Sequence, residues 1–351
     1  MVFTGKCLRR EYKTMDLTIR DIAKMAGVSP ATVSKIINNY GGISDSTRQK
    51  VFKIIEDTKY QPTFSAKSLA TKKSNLIGLI YAGKINVDFK HPFFNEVVNS
   101  FKKTVGALGY DLLLFSNEKI YEGESKYLER CKHFHVDGCL IIAGDEIEDA
   151  VHEIAASDIP CIGIDLKLEG PRSSYIMTDN AKIGFNVVEY LYLNQVRNIA
   201  YIGGKQDSLV SSIRNIGFVD AMNQFGLNVE KDWIHYGDFF EDSGYDAMKK
   251  ILNGGRLPEA VFAASDMMAL GALKAIKEHG LSVPHDIQLV GCDDIEACRY
   301  SDPPLTTVKQ DKQKLGKLSA YMLEDLMKSD HAIQAVKVDP ELVPRATTIE
   351  R

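Results

Sequence analysis

A pair of short helices joined through Gly27 constrains the fold more than any other feature of this chain. Apolar residues recur at helical spacing from Ile19 to Ala26 and predict one helix. Gly27 permits the left-handed backbone of a tight turn, and Ser29 followed by Pro30 begins a second helix with a good N-cap. Two such helices form a helix-turn-helix, whose second helix enters the major groove of DNA.

Capping residues indicate where the neighbouring helices begin. Thr18, with Asp21 three positions later, resembles a capping box at the start of the first helix. Ser44 precedes a third helix, which Val51 and Ile54 bury against the other two. The predicted headpiece is therefore a small bundle of three helices.

The charge of the chain is distributed unevenly. The formal net charge is −4, but residues 1–75 carry 14 basic and 6 acidic side chains, and the remainder carries 29 and 41. Residues 1–75 thus have a net charge of +8 and the remaining residues a net charge of −12. This difference indicates that only the first part of the chain faces a polyanion. Charge alone would also suit a solvated, lysine-rich surface; the helix-turn-helix pattern favours DNA.

Beyond residue 75, apolar strand segments alternate with helical segments. NLIGLIYA, GCLIIAG and PCIGID are typical of buried strands, and NIAYIGG, AVFAASD and IQLVGCDD repeat the pattern from Asp179 onward. Alternating strands and helices predict parallel sheets that are covered on both faces. The predicted fold is an all-α helix-turn-helix headpiece followed by an α/β body of two lobes with parallel sheets.

Polar residues follow several of these strands. Asp165 follows CIGI, Ser265 follows VFAA, and Asp293 follows IQLVGC. Open α/β sheets bind ligands outside the carboxyl ends of their strands, and two facing lobes place two such edges across one cleft. Carboxylates, a hydroxyl and an arginine suit sugar hydroxyls, and an aromatic ring covers the apolar face of a sugar.

The chain resembles the lactose/galactose repressor (LacI/GalR) family. The motif T-I-x-D-I-A-x-x-A-G-V-S-x-x-T-V-S-x-x-I-N and the later Y-x-P-x-x-x-A-x-S-L carry the resemblance, which runs from about Leu17 to Pro344. It implies a dimeric, sugar-responsive transcription factor whose body resembles the periplasmic sugar-binding proteins. In that fold LTTVKQ and the segment after Ala335 cross back between the lobes.

The resemblance also implies which residues bind DNA and which bind the effector. The expected DNA-binding residues are Thr18, Ser29, Pro30, Ala31, Thr32, Ser34, Lys35, Asn38, Ser65, Lys67 and Leu69. The expected effector-binding residues are Phe93, Phe94, Asp165, Arg214, Phe239, Ser265 and Asp293. Ser265 stands where the family often has asparagine, a departure that leaves the identity of the sugar open.

Four segments divide the chain. Residues 1–14 are either a disordered basic extension or an upstream start that is not translated, and the sequence does not decide between them. Residues 15–60 form the headpiece, 61–75 a hinge helix and linker, and 76–345 the effector-binding and dimerisation domain.

The leading hypothesis is a cytoplasmic, nucleoid-associated repressor that binds operator DNA and is controlled by a small carbohydrate. It forms a homodimer or a tetramer and has no membrane partner, since no apolar run approaches the ~20 residues of a span. Two alternatives are a global regulator of the same family with a phosphocarrier protein as corepressor, and a cytosolic sugar-binding protein. No catalytic motif is visible, and C-x-H-x-H at 131–135 lacks a fourth ligand, so we predict no enzyme, cofactor or metal.

The hinge generates the first prediction. In the family a leucine at the place of Leu69 inserts into the minor groove at the operator centre, where paired hinges share the cost of unstacking. Leu69→Ala should therefore weaken specific operator binding sharply and leave sugar binding intact, as measured by fluorescence anisotropy and calorimetry. Equal operator affinity for variant and parent would instead mean that Leu69 packs on the body.

Overall fold

The computed structural model describes residues 17–60, 73–82, 89–115, 126–143, 149–329 and 331–350. The chain divides into two compact units at Ser74 and Asn75. The predicted hinge residues Ser65, Lys67 and Leu69, and the extension at residues 1–14, lie outside the described residues.

Three helices form the first unit: α1 (Ile19–Ala26), α2 (Pro30–Ile37) and α3 (Asp45–Thr58). Gly27 has a φ of 70°, so the turn after α1 uses the left-handed backbone that glycine permits. The hydroxyl oxygens of Ser29 and Ser44 accept hydrogen bonds from the backbone N–H of Thr32 and Thr47, and these caps begin α2 and α3.

A small apolar core holds the three helices together. Its fully buried side chains come from all three helices: Ile22, Val33, Ile36 and Val51. Each helix is short and depends on this shared core, because an isolated helix of such length is marginal in water.

The body contains twelve strands and eight helices in its described part. In chain order the strands are β1 (Leu76–Ala82), β2 (Asp111–Phe115), β3 (Gly138–Ala143), β4 (Cys161–Ile164), β5 (Ser173–Thr178), β6 (Ile199–Gly203), β7 (Ile234–Tyr236), β8 (Ala260–Ala263), β9 (Gln288–Asp293), β10 (Thr306–Lys309), β11 (Val336–Val338) and β12 (Glu341–Val343). The helices are α4 (Pro92–Ala107), α5 (Tyr127–His133), α6 (Asp149–Ala155), α7 (Asn180–Leu193), α8 (Leu209–Gln224), α9 (Glu241–Leu252), α10 (Asp266–Glu278) and α11 (Lys312–Lys328). Two 3-10 turns lie at Lys231–Trp233 and Glu296–Arg299.

The strands form two sheets, one in each lobe. The first has the order β11-β5-β4-β3-β1-β2 with parallel neighbours, and the second has the order β12-β10-β9-β8-β6-β7. In the second sheet only the β10–β12 pair is antiparallel among the described strands. The predicted two-lobed body with parallel sheets is therefore confirmed.

The chain crosses between the lobes three times in the described body. It leaves the first lobe after β5, returns from β10 into α11, and crosses again from β11 to β12. The second and third crossings are those that the family resemblance implied. The sequence did not predict β5, because Ser173 and Ser174 interrupt the apolar run that marks a buried strand.

Each lobe is filled with buried apolar side chains. One large cluster fills the second lobe, and two clusters lie on the two faces of the first sheet. The body also continues beyond residue 345, where the sequence prediction ended. Thr347 is buried, and its hydroxyl donates to the carbonyl of Leu289 at 2.7 Å.

Membrane insertion has no candidate helix here. Within the described ranges, no helix combines the length and the apolar character needed to cross a bilayer.

Glycines bring α7 and α8 into close contact, which generates the second prediction. A Cβ atom on Gly184 would lie 2.4 Å from the backbone nitrogen of Phe218 and 2.7 Å from the carbonyl oxygen of Arg214. Gly184→Ala must separate the two helices, and we expect a cost of roughly 1–3 kcal/mol in the free energy of unfolding.

Gly106 on α4 is the matched control. Its added Cβ would meet nothing within 4 Å, so Gly106→Ala should raise the free energy of unfolding by roughly 0.5–1 kcal/mol through helix propensity. Urea unfolding of both variants measures the difference. Equal effects of the two substitutions would contradict the close packing of α7 on α8.

Candidate functional site

Polar side chains converge where the strands of the two lobes end. Asp165 follows β4 of the first lobe, Asp293 ends β9 of the second, and Gln310 follows β10. Strand ends of parallel sheets are the usual place for ligands in α/β proteins. Here they face one cavity within the body.

The cavity has about 390 Å³ of empty space, including the part that opens to solvent. The first lobe contributes His91, Phe93, Phe94 and Asp165, and the second contributes Ser208, Val210, Arg214, Phe239, Asp293 and Gln310. The lining combines aromatic rings with buried hydrogen-bonding groups, the mixture that small-molecule sites use.

Arg214 is buried and held by its own lobe. Its Nε donates to Oδ1 of Asn180 at 2.8 Å, and its Nη1 donates to the carbonyl oxygen of Ala264 at 2.5 Å. Asn180 begins α7 and Ala264 follows β8, so the guanidinium joins three elements. Arg214 therefore supports the cavity wall as well as facing the interior.

Asp293 is fixed from two sides. Nε2 of Gln310 donates to its Oδ1 at 2.6 Å. Nζ of Lys312 donates to the carbonyl oxygens of Asp293 and Asp294 at 2.7 Å each. The orientation of the carboxylate is thus set by contacts within the protein.

Several buried acceptors at the cavity have no partner among the described residues. They are Oδ1 of Asp165, Oδ2 of Asp293 and Oε1 of Gln310. An unpaired buried polar atom costs about 1–3 kcal/mol, so native proteins contain few of them. The cavity therefore presents three unpaired acceptors, together with Nδ1 of His91, to any hydrogen-bonding group that enters it.

Burial governs protonation in the cavity. It raises the pKa of Asp165 to about 6; the nearby charge of Arg214 opposes this rise, and the charge of Asp293 adds to it. Burial also lowers the pKa of His91 below its ordinary value. The histidine is therefore neutral near pH 7, and Asp165 is charged there but easily protonated.

Aromatic rings from both lobes enclose the cavity. Phe93 and Phe94 meet edge to face with ring centroids 5.0 Å apart, and His91 contacts Phe240 across the cleft at 5.6 Å. The ring of Phe239 lies where Gly204 leaves room, because a Cβ on that glycine would be 2.0 Å from the ring.

Left-handed backbone occurs at three of the lining residues. The φ angles are 53° at Asp165, 75° at Phe239 and 124° at Asp293. Aspartate tolerates the value found at Asp165, but the values at Phe239 and Asp293 are strained for residues with a side chain. Strain of this kind is common at binding sites, where the surrounding structure holds a side chain in place.

Six of the seven predicted effector residues line this cavity. Ser265 does not: its hydroxyl accepts from the backbone N–H of Met268 and donates to the carbonyl oxygen of Phe239 at 2.9 Å. It caps α10 and positions the loop that carries Phe239. The effector-contact role of Ser265 therefore has no support in this geometry.

The sequence interpretation omitted four lining residues. They are His91, Ser208, Val210 and Gln310. A signal existed for Gln310, because it directly follows a strand as the predicted aspartates do. Ser208 could have been recognised as a helix N-cap, a role it has for α8, but not as a cavity residue.

The predicted DNA-binding residues in the described headpiece cluster on and around α2. Pro30, Ala31 and Lys35 are exposed. The side chain of Asn38 donates to the carbonyl oxygen of Ser34 at 2.9 Å, and Oγ1 of Thr32 lies 2.9 Å from Oγ of Ser29. Thr18 lies before α1, where its backbone N–H donates to Asp21.

The C-x-H-x-H segment serves packing. Cys131 is buried with its Sγ atom 3.4 Å from that of Cys139, and the ring of His133 contacts Phe134. In the part of the chain that the structure describes, no three metal-ligating side chains come together.

Two family models match the chain. Residues 18–63 match the bacterial regulatory proteins of the lacI family, and residues 188–348 match a periplasmic binding protein-like domain. The two matches coincide with the headpiece and with the larger part of the body.

Whole-length relatives agree with these matches. The chain is 33% identical to the HTH-type transcriptional repressor PurR of Pasteurella multocida (strain Pm70), over 95% of this chain and 99% of that protein. It is 34% identical to PurR of Histophilus somni (strain 129Pt), over 93% and 98%.

Solved structures of similar proteins include complexes. The lac repressor dimer bound to operator and the anti-inducer ONPF is 28% identical, with a TM-score of 0.82 over 95% of this chain and 99% of that one. The transcriptional regulator CelR in complex with cellobiose is 27% identical, with a TM-score of 0.71 over 94% and 99%.

The raised pKa of Asp165 generates the third prediction. The folded protein holds this proton more tightly than the unfolded chain, where the pKa is near 3.8. Ionisation of Asp165 therefore lowers the stability of the fold progressively between the two pKa values, and the loss is complete above about pH 6. Asp165→Asn should raise the free energy of unfolding by roughly 1–3 kcal/mol at about pH 7.5. The gain in the free energy of unfolding should decrease as the pH falls below about 6.

Thermal unfolding at about pH 7.5 and about pH 5 checks this sign. Asp302→Asn is the matched control, since the side chain of Asp302 is 97% exposed and lies outside the cavity. A loss of stability in Asp165→Asn at the higher pH, or an equal gain at both values, would refute the assignment.

Proposed function

The chain belongs to the LacI family of bacterial regulatory proteins, and from this premise we propose that its effector is a small carbohydrate held between the two lobes. Members of this family are DNA-binding transcriptional repressors that respond to a small molecule; they are dimeric and are not enzymes.

The observation that supports this proposal is the set of unpaired acceptors in a cavity lined with aromatic rings. Hydroxyl groups of a sugar would donate to Asp165, Asp293 and Gln310. Phe93, Phe94 and Phe239 would cover the apolar faces of the ring, as aromatic side chains do for sugars. The complex of the similar CelR protein with cellobiose is consistent with this class.

We propose that the effector controls DNA binding by favouring one arrangement of the lobes. Asp165 belongs to the first lobe, and Arg214 and Asp293 belong to the second, so one sugar bridges both. A ligand shifts such an equilibrium only by its difference in affinity between the two arrangements. The arrangement that the sugar prefers would move the two hinges of the dimer apart, and the operator would be released.

The headpiece would read its operator mainly through contacts with thymine methyl groups and phosphates. Pro30 and Ala31 occupy the start of α2, where side chains face the floor of the major groove, and an alanine can only touch a thymine methyl. The remaining predicted contacts would be polar readers or phosphate anchors: Thr18, Ser29, Thr32, Ser34, Lys35 and Asn38.

We further propose that the repressor works in the cytoplasm, on the nucleoid, as a homodimer. A tetramer is the other assembly, and light scattering distinguishes the two. Control by a phosphocarrier protein is the alternative to a free sugar. The buried, unpaired acceptors favour a small molecule, because a protein surface cannot reach groups enclosed in this way.

The fourth prediction tests the effector. An operator is selected from random duplex DNA with the full chain, and its affinity is measured by anisotropy with each of a panel of sugars. The effective sugar should weaken operator binding by about 5- to 150-fold, the usual range of allosteric coupling. Asp293→Asn should keep operator affinity without sugar and lose the response.

Asp302→Asn, outside the cavity, should respond like the parent protein. A full response in Asp293→Asn would place the effector elsewhere. If no sugar changes operator affinity and a phosphocarrier protein does, the alternative is correct. Tighter operator binding with sugar would reverse the proposed sign and keep the effector class.

A further inference from the structure

The charge of the cavity lining restricts what can enter it. Asp165 and Asp293 contribute two carboxylates and Arg214 one guanidinium, and these side chains are 8%, 2% and 3% exposed. The formal charge of the lining is therefore −1. Because these charges are shielded little by water, they act on a ligand far more strongly than surface charges do.

The nearby cations are already engaged by the protein. Two nitrogen atoms of Arg214 donate to Asn180 and to the carbonyl of Ala264. Nζ of Lys312 donates to two carbonyl oxygens and lies 3.7 Å from Oε1 of Glu96. Arg214 keeps its positive charge, which the nearby carboxylates of Asp293 and Asp165 oppose, and Lys312 is held by the protein's own oxygen atoms.

Arg345, a third cation near the cavity, is also paired. Its Nη2 donates to Oδ1 of Asp294 at 2.5 Å. The side chains are 14% and 9% exposed, so the pair is largely buried. Arg345 therefore adds no uncompensated positive charge beside Asp293.

Of the four lining atoms that lack a partner among the described residues, three are acceptors and the fourth is Nδ1 of His91, which donates or accepts according to the tautomer of its ring. Oδ1 of Asp165, Oδ2 of Asp293 and Oε1 of Gln310 lack partners within the described residues. A sugar hydroxyl donates to such atoms. A phosphate or carboxylate group would place its own acceptor atoms against these acceptors. It would also add negative charge to a buried site whose lining is already negative.

We propose that this cavity accepts uncharged polyhydroxylated ligands and excludes their phosphorylated and other anionic derivatives. The inference rests on the proposed carbohydrate effector and states in addition that this effector is uncharged. Two carboxylates on opposite lobes provide the discrimination, since both must lie near any ligand that bridges the cleft.

The remaining titratable groups around the carboxylates do not reverse this selection. Burial lowers the pKa of His91, so its ring carries no charge near neutrality. Burial raises the pKa of Asp266, behind Asp293, to about 7, so this group is either neutral or negative. Neither adds a positive charge that could hold a phosphate.

Matched pairs of ligands test the inference. Calorimetry on the full-length protein at about pH 7.5 compares D-glucose, D-galactose, D-fructose, D-ribose and cellobiose, each with its phosphate ester. We expect the free sugar of every binding pair to bind at least roughly tenfold more tightly than its ester, given the strength of buried charge interactions.

Neutral variants separate charge from shape. Asp165→Asn, Asp293→Asn and their combination keep the size of the side chain and remove its charge. The affinity for the free sugar should fall. The affinity for the free sugar divided by the affinity for its ester should decrease by roughly tenfold or more in the double variant. Asp302→Asn should leave both affinities and their ratio unchanged. If the double variant does not fold, either single variant gives the same ratio test.

Each outcome decides between the proposals. An ester that binds as tightly as its free sugar overturns the inference, and the carbohydrate proposal survives if that ester changes operator affinity. If the neutral variants still prefer the free sugar over its ester by the same factor, the inference is also overturned, because steric exclusion of the ester would then explain that preference. If no sugar and no ester of any pair binds, the result contradicts the carbohydrate proposal and, with it, the inference.

Discussion

The cavity between the lobes depends on a buried guanidinium that the second lobe holds in place. Arg214 is bonded to the first residue of α7 and to the carbonyl that follows β8, while its own helix packs against α7 through Gly184. Burying such a charge costs several kcal/mol unless hydrogen bonds and opposite charges compensate it. Asp165 and Asp293 provide the opposite charge, so the two lobes meet around one electrostatic centre.

The cavity lowers the stability of the free protein in several places. Asp165 carries a buried charge, acceptors at Asp293 and Gln310 lack partners among the described residues, and Phe239 has left-handed backbone. A ligand that donates to these atoms removes part of that cost. The proposed binding energy therefore depends on the same features that cost stability, which is common at functional sites.

The two units carry opposite charge for different tasks. Residues 1–75 have a net charge of +8, suited to the DNA backbone, and the remaining residues have −12. The cavity continues the negative character of the body into its interior. An acidic body does not compete with the headpiece for DNA, and an acidic cavity disfavours anions among small molecules.

The sequence by itself determined the order of the elements and much of the site. Asp165 and Asp293 were predictable, because residues after parallel strands collect at one edge of a sheet. Tertiary structure decided the rest. Ser265 also follows a strand, but its hydroxyl donates to the carbonyl oxygen of Phe239, 26 positions away in the chain. Asp293 is oriented by Gln310, which lies 17 positions away. Side-chain direction and pairing depend on neighbours that only the folded chain brings together. A strand-end position alone therefore cannot distinguish a helix cap from a residue that lines the cavity.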